Sequence, residues 1–382
     1  MQVLLQGKLP IITLPRKAIN NYMTESQYLT AVYAFNYFGP ARVKLLLSYF
    51  KSAENIWKSS EGKLIEIGLS EQKVSAFGDF RKSFDIEKYF RRLQSLQIAV
   101  VTILDKDYPR NLKGLEAAPS VLYYKGNLDS LETNSVAIVG SRKMTSYGKE
   151  VTEKFSGELS NFGVTIISGL ARGVDSFAHR ACLAVGGRTV AVLGNGLDSI
   201  YPPENTKLAG EIVKAKGALI SEYPLGYPAL PVNFAARNRI VSGLASAVIV
   251  IEGAEKSGTL LTAAHAAEQG KTVFAVPGQI TSPLSAAPLY LLKNGARLAT
   301  ETKDILDELD MQVKVDKEKI KKVVPDSPAE AKLLEILEAE PFHLDELVRI
   351  SGGKTSEISA RLTIMEMKGM VKSLGKGMYK KA

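Results

Sequence analysis

The sequence is poor in the residues that form disulfides and bind metals. It has one cysteine and three histidines among 382 residues, and His179, His265 and His343 lie in separate segments with no common spacing. One cysteine excludes an internal disulfide and a cysteine-rich zinc site, and scattered histidines argue against other metal sites. We therefore expect no metal and no cofactor. Cys182 lies among alanines at helical spacing, which predicts a core position.

The sequence also lacks long apolar runs. No run approaches the roughly 20 residues that cross a bilayer. The first 23 residues have no apolar core of signal-peptide length, because charged residues and prolines interrupt them: Lys8, Pro10, Pro15 and Arg16. We therefore predict a cytoplasmic protein that does not associate with membranes, with a loose N-terminal extension over 1–23.

Acidic residues are in the minority. Lysine and arginine number 49 against 40 aspartates and glutamates, so the formal net charge is +9. A basic surplus favours a polyanionic partner such as nucleic acid, although many soluble proteins are equally basic. The hydrophobic content of 45% and the charged content of 23% are ordinary for globular proteins, and the length allows two or three domains.

The first regular feature present is a helical pattern over 24–90. Aromatic and aliphatic residues recur there at spacings of three and four, which predicts a small all-α domain. Gly39 and Pro40 stand just before a helix in 38–50, and 67–77 is similar to a degenerate second copy. This arrangement resembles a helix-hairpin-helix or SAM-like domain, whose glycine turn offers backbone N–H groups to a DNA phosphate. A glycine turn with a purely architectural role is the alternative.

Short, almost entirely apolar runs rich in β-branched residues follow between 98 and 310. Runs of this kind, alternating with helical patterns, predict parallel strands covered on both faces. We therefore predict an α/β core with a Rossmann-like, doubly wound parallel sheet over 98–310. Its strands are expected at 136–139, 164–168, 189–193, 218–222, 247–251 and 272–276, after two short strand-like runs at 98–104 and 121–125.

The last part of the chain has a different pattern. A charged, proline-ended stretch over 311–327 predicts a linker. Three short amphipathic helices and two strand-like runs around glycines follow over 328–382, which predicts a winged helix. Its segment 354–382 has many more basic than acidic residues. We therefore expect it to add sequence-independent DNA affinity, with a protein-contact role as the alternative.

Polar and glycine-rich loops follow the predicted strands, and in a parallel sheet such loops meet at one rim. Gly140, Ser141 and Arg142 stand where a dinucleotide fold has bare glycines. Arg142 at a helix entry suits a bidentate phosphate contact, and Phe234 suits stacking on a base. The predicted DNA-binding residues are Gly140, Ser141, Arg142, Arg172, Phe234, Arg237, Asn238, Arg239, Lys256, Ser257, Gly258 and Thr259.

Each of these residues also has an ordinary interpretation. An arginine near a helix start is usually a surface charge. Ser257-Gly258-Thr259 offers free N–H groups and a hydroxyl to a phosphate, but it also fits an ordinary helix cap. Asp175 and His179 lie four residues apart on one helix without a nucleophile beside them, so we interpret Asp175 as capping or turn structure. We expect no catalytic residues and favour phosphate binding over an enzyme.

A series of segments in a fixed order carries a family resemblance: "VAIVGSRKMTSYG", "ISGLARGVDSFAH", "GGRTVAVLGNGLDSIYPPEN", "LISEYPLG", "FAARNRIVSGLASAVIVIE", "SGTLLTAAHAAEQGKTVFAVPG" and "LLKNGA". The series is similar to the DNA-processing protein A (DprA/Smf) family over roughly 98–300. The family's Gly-Ser-Arg loop and Arg-Asn-Arg motif match 140–142 and 237–239. The chain departs from the family pattern at 285–289 and at Ala235, and neither departure affects the arginines.

The resemblance implies a function and a set of partners. Members of the family bind single-stranded DNA in natural transformation, protect incoming strands and load the RecA recombinase onto them. They work as homodimers without known catalytic activity. The resemblance therefore implies single-stranded DNA, RecA and a second copy of the chain as partners.

Two further expectations concern the end of the core and the competing function. An apolar stretch near the end of the core is a candidate dimer or partner contact, with burial in the domain's own core as the alternative: Leu284, Leu289, Leu291 and Leu292. The competing function is that of a lysine-decarboxylase-like nucleoside monophosphate phosphoribohydrolase, which shares the parallel sheet and a Gly-Thr loop. The glutamate of that class's motif is missing after Gly258-Thr259.

Overall fold

The structure is a computed structural model that describes residues 23–35, 37–131, 134–309, 327–338, 340–367, 370–375 and 377–381. The described residues form two compact units, one before and one after the gap at 310–326. The predicted linker, apart from Ser327, and the predicted N-terminal extension, apart from Met23, fall outside the described residues. None of the described helices has the length and apolar character needed to cross a bilayer.

The chain starts with a group of helices, as the spacing of apolar residues predicts. They are α1 (Glu25–Ala34), α2 (Pro40–Phe50), α3 (Ala53–Lys58), α4 (Glu61–Glu66), α5 (Glu71–Ser83) and α6 (Ile86–Ser95). Thr24 and Gln27 cap α1 reciprocally, since the side chain of each accepts a hydrogen bond from the backbone N–H of the other. Gly39 precedes α2 and Pro40 begins it, which confirms the predicted helix start.

A nine-stranded sheet forms the centre of the first unit, within the residues described. Its strands are β1 (Ala99–Thr102), β2 (Val121–Gly126), β3 (Ser135–Val139), β4 (Thr165–Ser168), β5 (Thr189–Leu193), β6 (Ala218–Ser221), β7 (Ala247–Val250), β8 (Thr272–Ala275) and β9 (Arg297–Leu298). The order across the sheet is β1-β2-β6-β5-β4-β3-β7-β8-β9. In this order, the seven neighbouring strands β6-β5-β4-β3-β7-β8-β9 are all parallel, which confirms the predicted parallel sheet. β1 and β2 extend it in antiparallel pairing.

Helices cover both faces of this sheet. They are α7 (Arg110–Lys113), α8 (Ser146–Asn161), α9 (Val174–Ala184), α10 (Thr206–Lys214), α11 (Pro231–Leu244), α12 (Gly258–Glu268), α13 (Ala286–Lys293) and α14 (Thr302–Glu308). α8, α9 and α14 pack on one face, and α7, α11 and α12 pack on the other. β3 lies between β4 and β7, so the strand order reverses there. The crevice beyond the carboxyl ends of β3 and β7 is therefore the expected ligand position.

The N-terminal helices share a hydrophobic core with the sheet. Leu29 and Val32 of α1 belong to the same buried cluster as Tyr123 of β2 and Leu219 of β6. Ser26 also donates a hydrogen bond of 2.6 Å to a carboxylate oxygen of Asp105. The boundary predicted between residues 90 and 98 therefore separates two sequence patterns but does not interrupt the packing.

The second unit is a winged helix, as predicted. It consists of α15 (Pro328–Ile336), β10 (Phe342–His343), α16 (Leu344–Ser351), α17 (Thr355–Met367), β11 (Val371–Gly375) and β12 (Met378–Lys381). The strands pair in the order β10-β12-β11. Leu333, Leu347, Leu362 and Met365 lie in a core that belongs to this unit alone. The exposed positions of α17 include Ala360 and Ile364, which cannot read base edges by hydrogen bonding.

Candidate nucleic-acid interface

The loop after β3 packs against the start of α9 and exposes one arginine. A Cβ on Gly140 would lie 2.5 Å from a methyl group of Val174, so only glycine lets α9 approach this closely. The Ser141 carbonyl accepts a hydrogen bond of 3.2 Å from the Val174 N–H. Its hydroxyl accepts one of 3.0 Å from the Lys143 N–H. Gly140 and Ser141 therefore shape the loop, and Arg142 is left exposed at its tip.

Arg142 lies beside a pair of aromatic rings. Its guanidinium carbon is 5.8 Å from the centroid of the Phe234 ring, within cation–π range. The Tyr201 ring is 5.3 Å from Phe234 at an interplanar angle of 30°, and Tyr201 is 45% exposed. Phe234 lies against Gly194, where an added Cβ would be 2.8 Å from the ring. A cation and two partly open aromatic faces thus meet at the reversal of strand order, a combination that suits a phosphate and a base.

Arg237 lies beneath the rim, not on it. It is 4% exposed, and its Nη1 donates hydrogen bonds to the carbonyls of Gly169 (2.7 Å) and Val192. Gly169 directly follows β4, and Val192 lies near the end of β5, so Arg237 ties two strand ends together. Burial lowers the pKa of Arg237, while Asp175 opposes this shift. The prediction that Arg237 contacts a phosphate does not agree with this burial, because the guanidinium is enclosed and its Nη1 is bonded to backbone oxygens.

Arg239 is neutralised by a carboxylate of the protein. It forms an ion pair with Glu222, and the two side chains are 13% and 6% exposed. The hydroxyl of Tyr33 in α1 donates a further hydrogen bond of 3.2 Å to Glu222. Burial and the neighbouring Glu222 raise the pKa of Tyr33 well above its usual value. Arg239 therefore connects α11 to β6 and the N-terminal helices, and it offers little charge to a ligand.

Arg172 is also paired, but in the open. Its Nε donates to Glu204, and the side chains are 63% and 47% exposed. Exposed pairs of this kind contribute little free energy, so a better anion can displace the carboxylate. Among the rim cations that the structure describes, Arg142 and Lys256 form no ion pair within 4.0 Å.

The start of α12 is largely satisfied by its own residues. The Ser257 hydroxyl accepts hydrogen bonds from the N–H of Thr259 (3.2 Å) and from its hydroxyl (2.9 Å). Thr259 is buried, whereas Lys256 and Gly258 are exposed. Asn238 donates a hydrogen bond of 3.3 Å to the Gly258 carbonyl, which links α11 to this loop. Ser257 thus acts as the helix cap, and the exposed part of this loop that a phosphate can approach is Lys256 and Gly258.

A buried carboxylate fills the place where a dinucleotide fold binds phosphate. Glu252, at the end of β7, accepts hydrogen bonds from the N–H of Thr145 (2.9 Å) and from its hydroxyl (2.5 Å). Thr145 is the N-cap of α8, so the carboxylate lies at the positive end of that helix. A Cβ on Gly148 would collide with Glu252, which is only 5% exposed. Glu252 therefore places a negative charge at the start of this helix, which disfavours an external phosphate there.

Asp175 and His179 point inward and form no acid–base pair at the surface. Asp175 accepts hydrogen bonds from the N–H groups of Gly169 (3.1 Å) and Ala171 (3.4 Å), which confirms its role in the turn. His179 Nδ1 is 2.6 Å from the Thr189 hydroxyl. Burial, followed by the charge of Arg237, lowers the pKa of His179 to about 3, so the ring is neutral near pH 7. Cys182 is buried as predicted, and burial raises the pKa of its thiol to about 11.

The candidate contact leucines lie around α13. All four are partly buried: Leu284, Leu289, Leu291 and Leu292. Leu291 packs against the core cluster beneath α11 and α12. Neighbouring Tyr290 and Leu298 are 57% and 51% exposed and are the more open apolar residues of this region. The structure therefore directs Leu291 inward and leaves the other three as candidates.

Four side chains of the rim were not singled out from the sequence: Tyr201, Glu204, Glu222 and Glu252. The sequence does contain a signal for two of them, because Glu222 and Glu252 directly follow apolar runs, at points where a strand ends and a loop begins. A carboxylate at such a point predicts either a ligand contact or a partner for a nearby cation. The structure shows that Glu222 is a partner for Arg239 and that Glu252 accepts hydrogen bonds from Thr145, the N-cap residue of α8.

The family models and the curated relatives agree on one family. Residues 99–310 match the model described as DNA recombination-mediator protein A, and residues 321–377 match the DprA winged helix domain. The Smf protein of a Synechocystis species is 34% identical over 370 residues, which cover 87% of this chain and 93% of that protein.

Two solved structures are similar to this chain. DNA processing protein A (DprA) from Streptococcus pneumoniae is 35% identical, with a TM-score of 0.65, and the match covers 75% of this chain and 99% of that one. DNA processing protein A from Helicobacter pylori is 31% identical, with a TM-score of 0.50, over 56% of this chain and 95% of that one. That second structure describes a single-stranded DNA binding mode of the Helicobacter protein.

Proposed function

This chain belongs to the DprA/Smf family of DNA processing proteins, and we propose that it binds single-stranded DNA at the rim formed by Arg142, Tyr201, Phe234, Lys256 and Gly258. The proposal extends to this chain the single-stranded DNA binding described for the relative from Helicobacter pylori.

The placement of Arg142 over Phe234 is the observation that carries the proposal. The guanidinium is exposed, forms no ion pair and lies 5.8 Å from a ring that a base can stack beside. Arg237 and Arg239 are bonded to groups inside the protein, so the charge offered to a ligand comes mainly from Arg142 and Lys256. A phosphate bound there has an aromatic surface next to it, and phosphate with a stacked base is the repeating unit of a nucleic-acid strand.

The aromatic pair favours a single strand over a duplex. Base faces are inaccessible inside a duplex, whereas an unpaired strand can turn its bases onto Tyr201 and Phe234. Stacking of this kind is worth about 1–3 kcal/mol per base. The rim therefore gains from a single strand a contribution that a duplex cannot supply.

A competition experiment tests the proposal. The protein is bound to a labelled unstructured oligonucleotide, and unlabelled single strand or blunt duplex of equal length is added. We expect the single strand to compete at a much lower concentration. Equal competition by the duplex would contradict the proposal, because it would leave the aromatic pair without a role.

The cellular role and the partners are proposed on the family resemblance. We propose that the protein works in the cytoplasm as a homodimer, protects incoming strands during natural transformation and loads the RecA recombinase onto them. The open Tyr290 and Leu298 beside α13 support a contact surface at that end of the sheet. Sedimentation at micromolar concentration, with and without DNA, tests the dimer. Strand exchange by RecA on coated single strands tests the loading.

We propose a binding protein and not an enzyme. The inward position of Asp175 and His179 supports this, as does the negative charge of Glu252 at the start of α8, which disfavours a nucleotide phosphate there. Incubation with nucleoside monophosphates tests it, since release of free base would instead favour a phosphoribohydrolase.

A further inference from the structure

A second group of cations and an aromatic ring lies on the outer side of α8 and α9. The Phe177 ring of α9 has two positive groups near it, Lys149 Nζ and Arg180 Cζ, each 5.2 Å from the ring centroid. Phe177 is partly buried, and Arg180 and Lys149 are exposed. We call these three residues the Phe177 cluster.

The Phe177 cluster is continuous with the rim. α9 begins where the Val174 N–H donates to the Ser141 carbonyl, next to Arg142. With a helical rise of about 1.5 Å per residue, Phe177 lies roughly 4.5 Å and Arg180 roughly 9 Å along the helix from that point. α8 packs directly against α9, since the Ser156 hydroxyl donates a hydrogen bond of 2.6 Å to the Ala178 carbonyl. A DNA strand that is bound at Arg142 and continues along α9 therefore reaches the Phe177 cluster within a short distance.

The charges of the cluster are only weakly satisfied by the protein. Lys149 Nζ is 3.9 Å from Glu153 across one helical turn, with side chains 50% and 40% exposed. Such a pair contributes little. Arg180 has no ion pair among the described residues, and its Nη2 donates a long hydrogen bond of 3.4 Å to the Asn205 side chain. Two cations that share one ring repel each other, and an anion between them relieves that repulsion.

We propose that the Phe177 cluster is a second contact site for the same DNA strand, which runs from Arg142 over the edge of the rim and along the groove between α8 and α9. This inference rests on the proposed function. Lys149 and Arg180 hold phosphates, and the Arg180 plane with the Phe177 ring supports a base. Strands long enough to span both sites bind more tightly and with a steeper salt dependence than strands that fill the rim alone.

The test compares two strand lengths in two sets of variants. Oligonucleotides of about four and about sixteen nucleotides cover the range of lengths that single-strand sites commonly occupy. The variant Lys149→Gln/Arg180→Gln removes two cations, and each lost phosphate contact lowers the salt slope of a single strand by about 0.7. We expect the double variant to bind the long strand more weakly, with a slope shallower by about 1.4, and to bind the short one as the parent protein does. Phe177→Leu keeps the apolar volume, and we expect weaker long-strand binding with an unchanged slope.

The controls separate this inference from the proposed function. Lys207→Gln/Lys214→Gln removes two exposed lysines of α10, and we expect it to leave the binding of both the short and the long oligonucleotide unchanged. Arg142→Ala is expected to weaken both lengths, and its failure to do so would contradict the proposed function alone. An unchanged affinity and slope for the long strand in Lys149→Gln/Arg180→Gln would overturn the second site. An equal loss for the short strand would also overturn it, because the cluster would then not be separate from the rim.

Discussion

The sequence predicts that Arg142 and Arg239 both contact DNA at the rim, whereas the structure indicates different roles for the two side chains. Arg142 is exposed and unpaired, whereas Arg239 is 13% exposed and paired with Glu222. We therefore expect Arg142→Ala to weaken single-strand binding and to lower the slope of log K against log salt by about 0.7, the value for one phosphate contact. Over a fourfold rise in salt, one such contact accounts for about a 2.6-fold change in affinity.

Arg239→Ala is expected to act on stability. Without the arginine, Glu222 becomes an unpaired charge with a side chain only 6% exposed. Breaking a buried pair in this way costs about 3–5 kcal/mol in the free energy of unfolding. Removing both charges, in Glu222→Ala/Arg239→Ala, is expected to recover most of that loss, because no charge is then left buried alone.

Fluorescence anisotropy of a labelled oligonucleotide across a salt series measures the slope, and urea unfolding measures stability. The structure predicts a change of slope without loss of stability in Arg142→Ala. It predicts the opposite in Arg239→Ala, measured at a temperature where the variant is folded. The reasoning fails if Arg142→Ala keeps the parent slope. It also fails if Arg239→Ala lowers the slope while unfolding at the parent urea concentration.

Three further outcomes follow from the fold. Gly148→Ala places a methyl group against Glu252 and is expected to cost about 1–3 kcal/mol in thermal or urea unfolding. Gly210→Ala makes the same change in α10, where an added Cβ meets nothing within 4 Å, and is expected to cause no such loss. The pKa of His179 falls from 6.5 unfolded to about 3 folded, so protons bind the unfolded chain first as pH decreases and stability is lost between those values. The loss is at most about 1.4 kcal/mol per pH unit, and His179→Gln should remove it from urea unfolding measured across that range. Deletion of 327–382 is expected to leave single-strand binding at the rim intact and to reduce salt-sensitive duplex binding, and equal duplex binding by the shortened protein would give the winged helix another role.

The sheet could be predicted closely because its signal is local. β5 begins and ends where the apolar run Thr189–Leu193 does, and β3, β4, β6, β7 and β8 each differ from their predicted runs by one residue. The short edge strand β9 gave no such signal, since it consists of Arg297 and Leu298 alone. The antiparallel placement of β1 and β2 depends on pairing with β6, far along the chain, which no local pattern reports.

The site could be predicted only in part, because a sequence does not show which way a side chain points. The three residues of the motif at 237–239 face different partners. Arg237 bonds to backbone carbonyls, Asn238 to the loop before α12 and Arg239 to Glu222. The spacing of one residue between Arg237 and Arg239 places them about 200° apart around a helix, so they cannot both face a ligand. Glu204, Glu222 and Glu252 escaped prediction for the same reason, since their partners lie on other loops.

The carboxylate of Glu252 at the start of α8 has a consequence for competition inside a cell. Free nucleotides are abundant there, and in related folds their phosphates bind at the first helix of the sheet. Here the carboxylate of Glu252 lies near that position, 2.9 Å from the Thr145 nitrogen, and disfavours a free phosphate there. Under the proposed function, a mononucleotide can occupy the Arg142 and Phe234 contacts only once, whereas a DNA strand makes further contacts through the nucleotides that follow. If the rim binds DNA as proposed, we therefore expect the protein to favour a DNA strand over a free nucleotide such as ATP.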